Sequence, residues 1–292
     1  MDSNILTSWK DYELLDSGHG RKLERFGDIL LSRPAPQALW PRKAESTLWT
    51  QISGDYIRSS TGGGHWNFYK SVPESWMIQW KNLHIKVKPT GFGHLGVFPE
   101  QVFFWNLLTT HLAKNCHHAN VLNLFAYTGY STLAAAKMNA KVTHVDGAKS
   151  AVTWARENAE ANDLKNHPIR WIADDVGKFM TRENKRGVKY DAIIMDPPTF
   201  GRSPQGKVWK IEQDLLPLLQ SIQTILSDNF QFLLFTCHSQ HVSATGVANL
   251  LNWMFEKSLE TVTIDTGEIL IYSSQPETSL PSGVFGTVIS TK

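Results

Sequence analysis

Cysteine is scarce in this chain: Cys116 and Cys237 are the two in 292 residues. Two thiols cannot build the disulfide framework of a secreted scaffold, and such usage points to a reducing compartment. Apolar runs long enough to cross a bilayer are missing, and no basic-plus-apolar leader opens the chain. The expectation is a cytoplasmic protein that does not engage the membrane. Charge excess is missing as well: the net charge of +2 does not by itself call for a nucleic-acid partner. Repeats and low-complexity segments do not occur. Glycine, finally, is thin in the turn that follows the run Val121 to Phe125, where Gly129 stands alone. A pyrophosphate cradle wants three glycines in such a turn; Ala126 and Thr132 stand where others might be sought.

What is present is a βαβ pattern from Val121 to Asp146. Val121 to Phe125 is long enough for one buried strand. The chain turns at 126–129, Ser131 can cap a helix over 132–140, and Lys141 to Val145 reads as a second strand closed by Asp146. The crevice beyond the carboxyl ends of such strands is where ligands sit in open parallel sheets. A ligand with a ribose and no phosphate fits this turn. Gly129 lets the backbone approach it, and Asp146 can accept from both ribose hydroxyls. S-adenosyl-L-methionine (SAM) is such a ligand. The plainer alternative is an ordinary Rossmann-like turn with a surface Asp.

Further along, helices are predicted over 148–161, from 176 to about 181, and over 210–226 and 243–256. Strands are predicted over 167–173, 190–195, 229–237, 261–265 and 284–289. This alternation predicts an α/β fold with a mostly parallel, Rossmann-like sheet, its last strand antiparallel. The first ninety residues read as a small β-rich domain. They contain a hairpin over 12–26, a break at 32–36, a turn at Gly62 to Gly64, and short strands over 76–80 and 83–87. Domain boundaries are set at 1–93 and 94–292. Many of the eleven tryptophans fall in the first part. They can stack on bases, but filling a small core is favoured. Gly91 to Gly96 is a close-packed or flexible loop, a cofactor cover or a plain linker, and Pro99 opens a helix over 100–112.

Several motifs carry chemistry. Asp196-Pro197-Pro198-Thr199-Phe200 follows the fourth parallel strand; two prolines stiffen the loop, Asp196 is delivered to the same edge as Gly129 and Asp146, and Phe200 can stack on a base. Asp174-Asp175 follows the third strand. One carboxylate there can accept from an adenine amino group, Asp175 in preference to Asp174, while helix capping is the other role open to either. Cys237 ends the fifth strand. As a thiolate it can attack carbon 6 of a pyrimidine, with His238 lowering its pKa; a small buried residue is the alternative. Zinc held by Cys116, His117, His118, Cys237, His238 and His241 is disfavoured, because the two groups fall at opposite sheet edges roughly 20 Å apart. Arg202, Lys207 and Lys210 follow DPPTF in a loop that can meet phosphates or simply be solvated.

Together NLFAYTGYS, VDGAKSAVTWARENAEAN, the Asp-Asp-Val after the third strand, DPPTF and TCHS resemble class I SAM-dependent methyltransferases of the large-subunit rRNA methyltransferase type. That group includes enzymes acting on carbon 5 of cytosine and nitrogen 7 of guanine. HLGVFPEQ and RKLERFGDILLSRPAPQA resemble a bacterial branch lacking the RNA-binding PUA domain. The resemblance implies that Asn123, Phe125, Tyr127, Thr128 and Gly129 line the methionine part of SAM and that Asp146 holds the ribose. It further implies that Ser150 and Asn158 support that site, that Asp175 holds the adenine amino group, and that Asp196 and Pro197 border the transferred methyl. Gln101 is the implied residue packing over the cofactor. TCHS departs from the cytosine enzymes, which tend to show a small residue after Cys-Ser. The expected function is transfer of the SAM methyl to a base in RNA, with no metal required and Asp196 and Cys237 as catalytic residues. A small-molecule methyltransferase and a non-catalytic SAM- or RNA-binding module are the alternatives.

Overall fold

The structure is a computed structural model describing residues 8–60, 62–115, 118–202, 208–273 and 278–291. The chain divides into two units: Met1–Phe103 with Leu270–Ser282, and Phe104–Ile269 with Gly283–Lys292.

In the first unit, β1 (Tyr12–Gly18), β2 (Arg21–Phe26), β3 (Ile29–Pro34), β4 (Gly54–Arg58) and β5 (Gly64–Phe68) form one sheet in that order. All neighbours are antiparallel except β3 and β4. His19 and Gly20 take φ of 50° and 72°, as a tight two-residue hairpin turn requires. A break was expected at 32–36, yet β3 runs on to Pro34. A proline at the strand's last position costs the ladder little. A short helix α1 (Ser46–Thr50) and the hairpin β6 (Trp76–Trp80) and β7 (Leu83–Val87) complete the unit's early part, and Pro99–Gln101 forms a 3-10 turn. Tyr12, Leu23, Phe26, Leu31 and Tyr56 are its buried core.

The tryptophans serve this core. Trp9, Trp49 and Trp80 are buried. Indole N–H groups of Trp9, Trp40, Trp66 and Trp76 donate to the carbonyls of Gln79, Ser17, Thr90 and Phe26, and Trp49 donates to Asp16. A buried charge sits at the same level. Glu24 accepts from Arg33 at 2.8 and 2.9 Å and from the Tyr12 hydroxyl at 3.0 Å, and pairs with Lys22 at 3.1 Å. Burial pushes the Glu24 carboxyl up, but Arg33 and Lys22 outweigh it and hold it below its ordinary range.

The second unit is built on seven strands in the order β10-β9-β8-β11-β14-β16-β15. These are β8 (Asn120–Leu124), β9 (Lys141–Asp146), β10 (Ile169–Ala173), β11 (Ala192–Met195), β14 (Phe232–Cys237), β15 (Val262–Tyr272) and β16 (Ser279–Ser290). The first five run parallel, and β16 is antiparallel to β14, as the missing intervening helix suggested. Helices α2 (Val102–Asn115), α3 (Tyr130–Ala136), α4 (Lys149–Glu160), α5 (Val176–Arg186), α6 (Ile211–Gln223) and α7 (Ala244–Met254) alternate with the strands. Parallel strands covered on both faces need apolar residues throughout. β11 and β14 are accordingly buried at every position. Among the described residues, no helix is long and apolar enough to cross a membrane.

Two helices differ from expectation at their ends. α3 starts at Tyr130, with Gly129 rather than Ser131 at the cap, and stops at Ala136 because Asn139 turns left-handed with φ 63°. α5 runs to Arg186 instead of about 181, where Gly187 (φ 66°) provides the left-handed stop. A hairpin not anticipated at all, β12 (Phe200–Arg202) and β13 (Val208–Lys210), follows the two prolines.

Candidate functional site

Strand register brings one rim of the second unit together. Leu124 pairs across from Val145 and Met195, Met195 from Phe235, and Ala173 from Asp146. The residues that follow, Phe125, Asp146, Asp174 and Asp196, therefore leave the sheet at one edge. The chain runs from β8 to β9 and β10 on one side, then to β11 and β14 on the other. That reversal beside β8 is the topological switch point where open α/β sheets bind ligands.

The turn after β8 is wound tightly. Phe125, Tyr127 and Gly129 have φ of 55°, 48° and 88°. A left-handed conformation costs an aromatic residue about 1–2 kcal/mol, so the surroundings must impose it. They do so from below. The Thr128 carbonyl accepts from Asn158 Nδ2 at 2.8 Å. Asn123 Nδ2 donates to Thr132 Oγ1 at 2.9 Å, and Thr132 Oγ1 lies 3.0 Å from His144 Nδ1. His144 is fully buried against Trp171; burial, and then Arg156, bring it down to about 3, so the ring is neutral. A Cβ on Gly129 would come within 3.0 Å of Ala155 Cβ and 3.4 Å of His144 Cε1. The glycine is thus required for packing onto α4 as well as for its φ.

Asp146 is held at both oxygens: Tyr127 N donates to Oδ2 and Ala148 N to Oδ1, each at 2.8 Å. Burial raises its pKa, and the two N–H groups act against that. Ser150 is exposed in the first turn of α4, whereas Asn158 is buried beneath the turn. Asp175 Oδ1 accepts from Lys178 N at 2.9 Å and caps α5. Asp174 accepts from Asp175 N and pairs with Arg182.

The loop after β11 is fixed by its own hairpin. Asp196 N donates to the Leu124 carbonyl at 3.4 Å, and Pro197 is buried. Trp209 Nε1 donates to the Pro198 carbonyl at 2.7 Å, and its ring lies 4.9 Å from that of Phe125. Phe200 is 53% exposed. Lys207 and the Arg202 side chain lie outside the described residues; Lys210 is exposed. His238 Nε2 is 3.7 Å from Asp196 Oδ2. Cys237 is fully buried, and burial above all, with Asp196 adding, pushes its thiol up to about 11. That is the reverse of the lowering expected from His238, whose ring faces Asp196. Gln101 is buried in the 3-10 turn of the first unit. Among the described residues no group of three metal-ligating side chains forms; Cys116 and His117 fall outside them.

Sequence reasoning missed Thr132, His144 and Trp209. β9 is buried from Val142 to Val145, so a histidine inside that run was the signal for His144, and nothing local marked Trp209.

A topological switch point with a carboxylate after the second strand is the arrangement of a ligand-binding α/β sheet. The comparisons refine that class. Residues 94–221 match the model of the methyltransferase small domain. The crystal structure of a SAM-dependent methyltransferase from Agrobacterium tumefaciens is 35% identical, covering 97% of this chain and 91% of its own, with a TM-score of 0.91. A second solved chain, described as a methyltransferase and complexed with S-adenosylhomocysteine, shares the fold at 20% identity and a TM-score of 0.75 over 96% of this chain and 75% of its own. A ribosomal RNA large subunit methyltransferase K/L from Shewanella frigidimarina is 34% identical over 210 residues, 70% of this chain. The chain spans about a quarter of that relative's length, 27%. This chain belongs to the SAM-dependent methyltransferases.

Proposed function

We propose that this protein methylates a base in RNA, with residues 94–292 carrying the transfer and 1–93 forming a separate β-rich part, in the cytoplasm. One observation carries the reading: the Phe125–Gly129 turn, Asp146, Asp175 and the Asp196-Pro197-Pro198 loop leave the sheet at a single rim. The ribosomal RNA methyltransferase named among its relatives supports RNA as the substrate class.

The residues fit SAM. An ionised carboxylate offers about four acceptor positions. Two at Asp146 are taken by Tyr127 and Ala148, which leaves capacity for two ribose hydroxyls. The turn exposes one glycine and no phosphate cradle. When bound, SAM supplies a methyl on an already reactive sulfonium. Asn123, acting through Thr132, and Asn158 hold the turn in its left-handed form so that Phe125, Tyr127, Thr128 and Gly129 border the methionine part. Ser150 supports the ribose end, and Asp175 receives the adenine amino group beside its capping role. Asp196 and Pro197 orient the acceptor in line with the methyl, and positioning of this kind supplies several kcal/mol.

The acceptor best suited to this rim is a ring nitrogen. Carbon 5 of a pyrimidine needs covalent activation by a thiolate, and Cys237 is protonated and enclosed. Nitrogen acceptors need Asp196 and no thiol.

The test is mass spectrometry of RNA nucleosides from cells with and without the gene, followed by labelled methyl transfer from SAM to the depleted RNA. One methylated nucleoside missing and restored is the expected result. An unchanged RNA profile, with label entering a small molecule instead, would overturn the RNA reading.

A further inference from the structure

β4 and β5 pair antiparallel, with Tyr56 opposite Trp66. Side chains alternate along strands, so Tyr56 and Arg58 share a face with Trp66 and Phe68. The rings of Trp66 and Phe68 stack, 5.8 Å apart and 3° from parallel. Phe68 covers Gly54, where a Cβ would come within 2.7 Å of its ring, and is still 47% exposed. The loop at Thr90 to Gly93 lies on the same face. Trp66 Nε1 donates to the Thr90 carbonyl and the Tyr56 hydroxyl to the Gly91 carbonyl, both at 2.9 Å. Arg33 Nη1 donates to the Gly93 carbonyl at 3.1 Å. Phe92, at the tip of this clamped loop, is 70% exposed. Arg58 is exposed beside them, near enough to join burial, Arg33 and Lys22 in pushing His94 down to about 4.

Trp9, Trp40, Trp49 and Trp76 give their N–H groups to internal acceptors and are scaffold, whereas half-buried Trp66, also anchored through its N–H, is the platform on which Phe68 stacks. Phe68, stacked on Trp66 at one side, and Phe92 are instead exposed to solvent on a backbone that is already fixed. From Gly54 to Phe92 the sequence carries five Lys and Arg against two carboxylates, and one of the two, Asp55, is paired with Arg21. Exposed rings within a cationic stretch match flat bases on a polyanion.

We propose that Arg58, Trp66, Phe68 and Phe92 form a stacking surface for single-stranded RNA on the first unit. The inference rests on the RNA reading above and adds to it a place, outside the SAM-binding rim, where the substrate strand is held.

The test uses the full chain and a fluorescein-labelled single-stranded oligouridylate, read by anisotropy. Phe68→Ala with Phe92→Ala is expected to weaken binding by about tenfold or more, since each lost stack removes a base contact. SAM affinity should stay unchanged, while the thermal midpoint falls as Gly54 and Trp66 lose their cover. Phe68→Leu keeps Gly54 covered and should also weaken RNA binding, which separates lost stacking from lost folding. Arg58→Ala should reduce the slope of log affinity against log salt by about 0.7. Undiminished RNA binding in the double variant overturns the proposal. So does self-association that the variant abolishes while RNA affinity stays intact. A wild-type protein that neither binds nor methylates RNA overturns the substrate reading itself. RNA methylation with variant binding equal to wild type removes this surface alone.

Discussion

Trp209 donates its indole N–H to the Pro198 carbonyl at 2.7 Å while its ring rests 4.9 Å from that of Phe125. One side chain therefore ties the loop after β11 to the turn after β8. In the proposed reaction these two segments hold methyl acceptor and methyl donor.

Trp209→Phe keeps an aromatic ring against Phe125 and removes the bond to Pro198. A lost hydrogen bond of about 1 kcal/mol that acts on alignment should lower kcat roughly fivefold. SAM affinity by calorimetry should move less than about twofold, because the ring contact remains. Trp209→Ala should raise the SAM Kd as well. Unchanged kcat in Trp209→Phe would remove the link from the mechanism.

Asp146→Ala should weaken SAM binding by about 1–3 kcal/mol in isothermal titration, the cost of unpaired hydroxyls and two unpaired N–H groups. The pH dependence follows from the direction of its shift. Burial raises its pKa, so the carboxylate is lost at a higher pH than usual as acid is added. The ionised form accepts the ribose hydroxyls. SAM affinity should therefore be constant at neutral pH and begin to fall above the ordinary carboxylate range. Asp146→Asn should show no such fall, and a wild-type profile that is equally flat would detach Asp146 from the ribose.

The parallel core was legible because strands covered on both faces must be largely apolar, as Ala192–Met195 and, but for Thr236, Phe232–Cys237 are. The turn was legible through a lone glycine, Gly129, after one strand and a carboxylate, Asp146, closing the next. The network beneath it was not. Asn123, Thr132 and His144 come from three elements, and a buried polar triad looks like three unrelated residues in a linear chain. The hairpin holding Trp209 has strands of three residues, too short for any period to show. Cys237 was ambiguous for a related reason. A thiol at the end of an apolar strand reads the same whether the site opens or closes over it, and enclosure decides its pKa.

Cys237→Ala should keep turnover within about twofold of wild type on the RNA substrate, because a thiol pushed up to about 11 is protonated near neutrality. Cys237 should also resist iodoacetamide at mildly alkaline pH in the native state and react once urea unfolds the chain, as peptide mapping would show. Loss of turnover by several orders of magnitude in Cys237→Ala would restore carbon 5 of cytosine as the acceptor.

His144 makes stability sensitive to acid. Its ring is held down to about 3 in the folded chain, against 6.5 when released. The unfolded state therefore takes up a proton that the native state refuses. Stability from this group is complete above about pH 6.5 and drains away as pH falls toward 3, at about 1.4 kcal/mol per pH unit. His144→Gln cannot take up that proton. Urea midpoints measured from about pH 7 to about pH 4 should fall more gently in the variant, by one proton's worth of slope. His94, held down to about 4, keeps its own contribution in both proteins and cancels in the comparison. Parallel curves would mean that His144 is protonated in the native fold, and the turn over β8 would then rest on a cation rather than on a neutral ring.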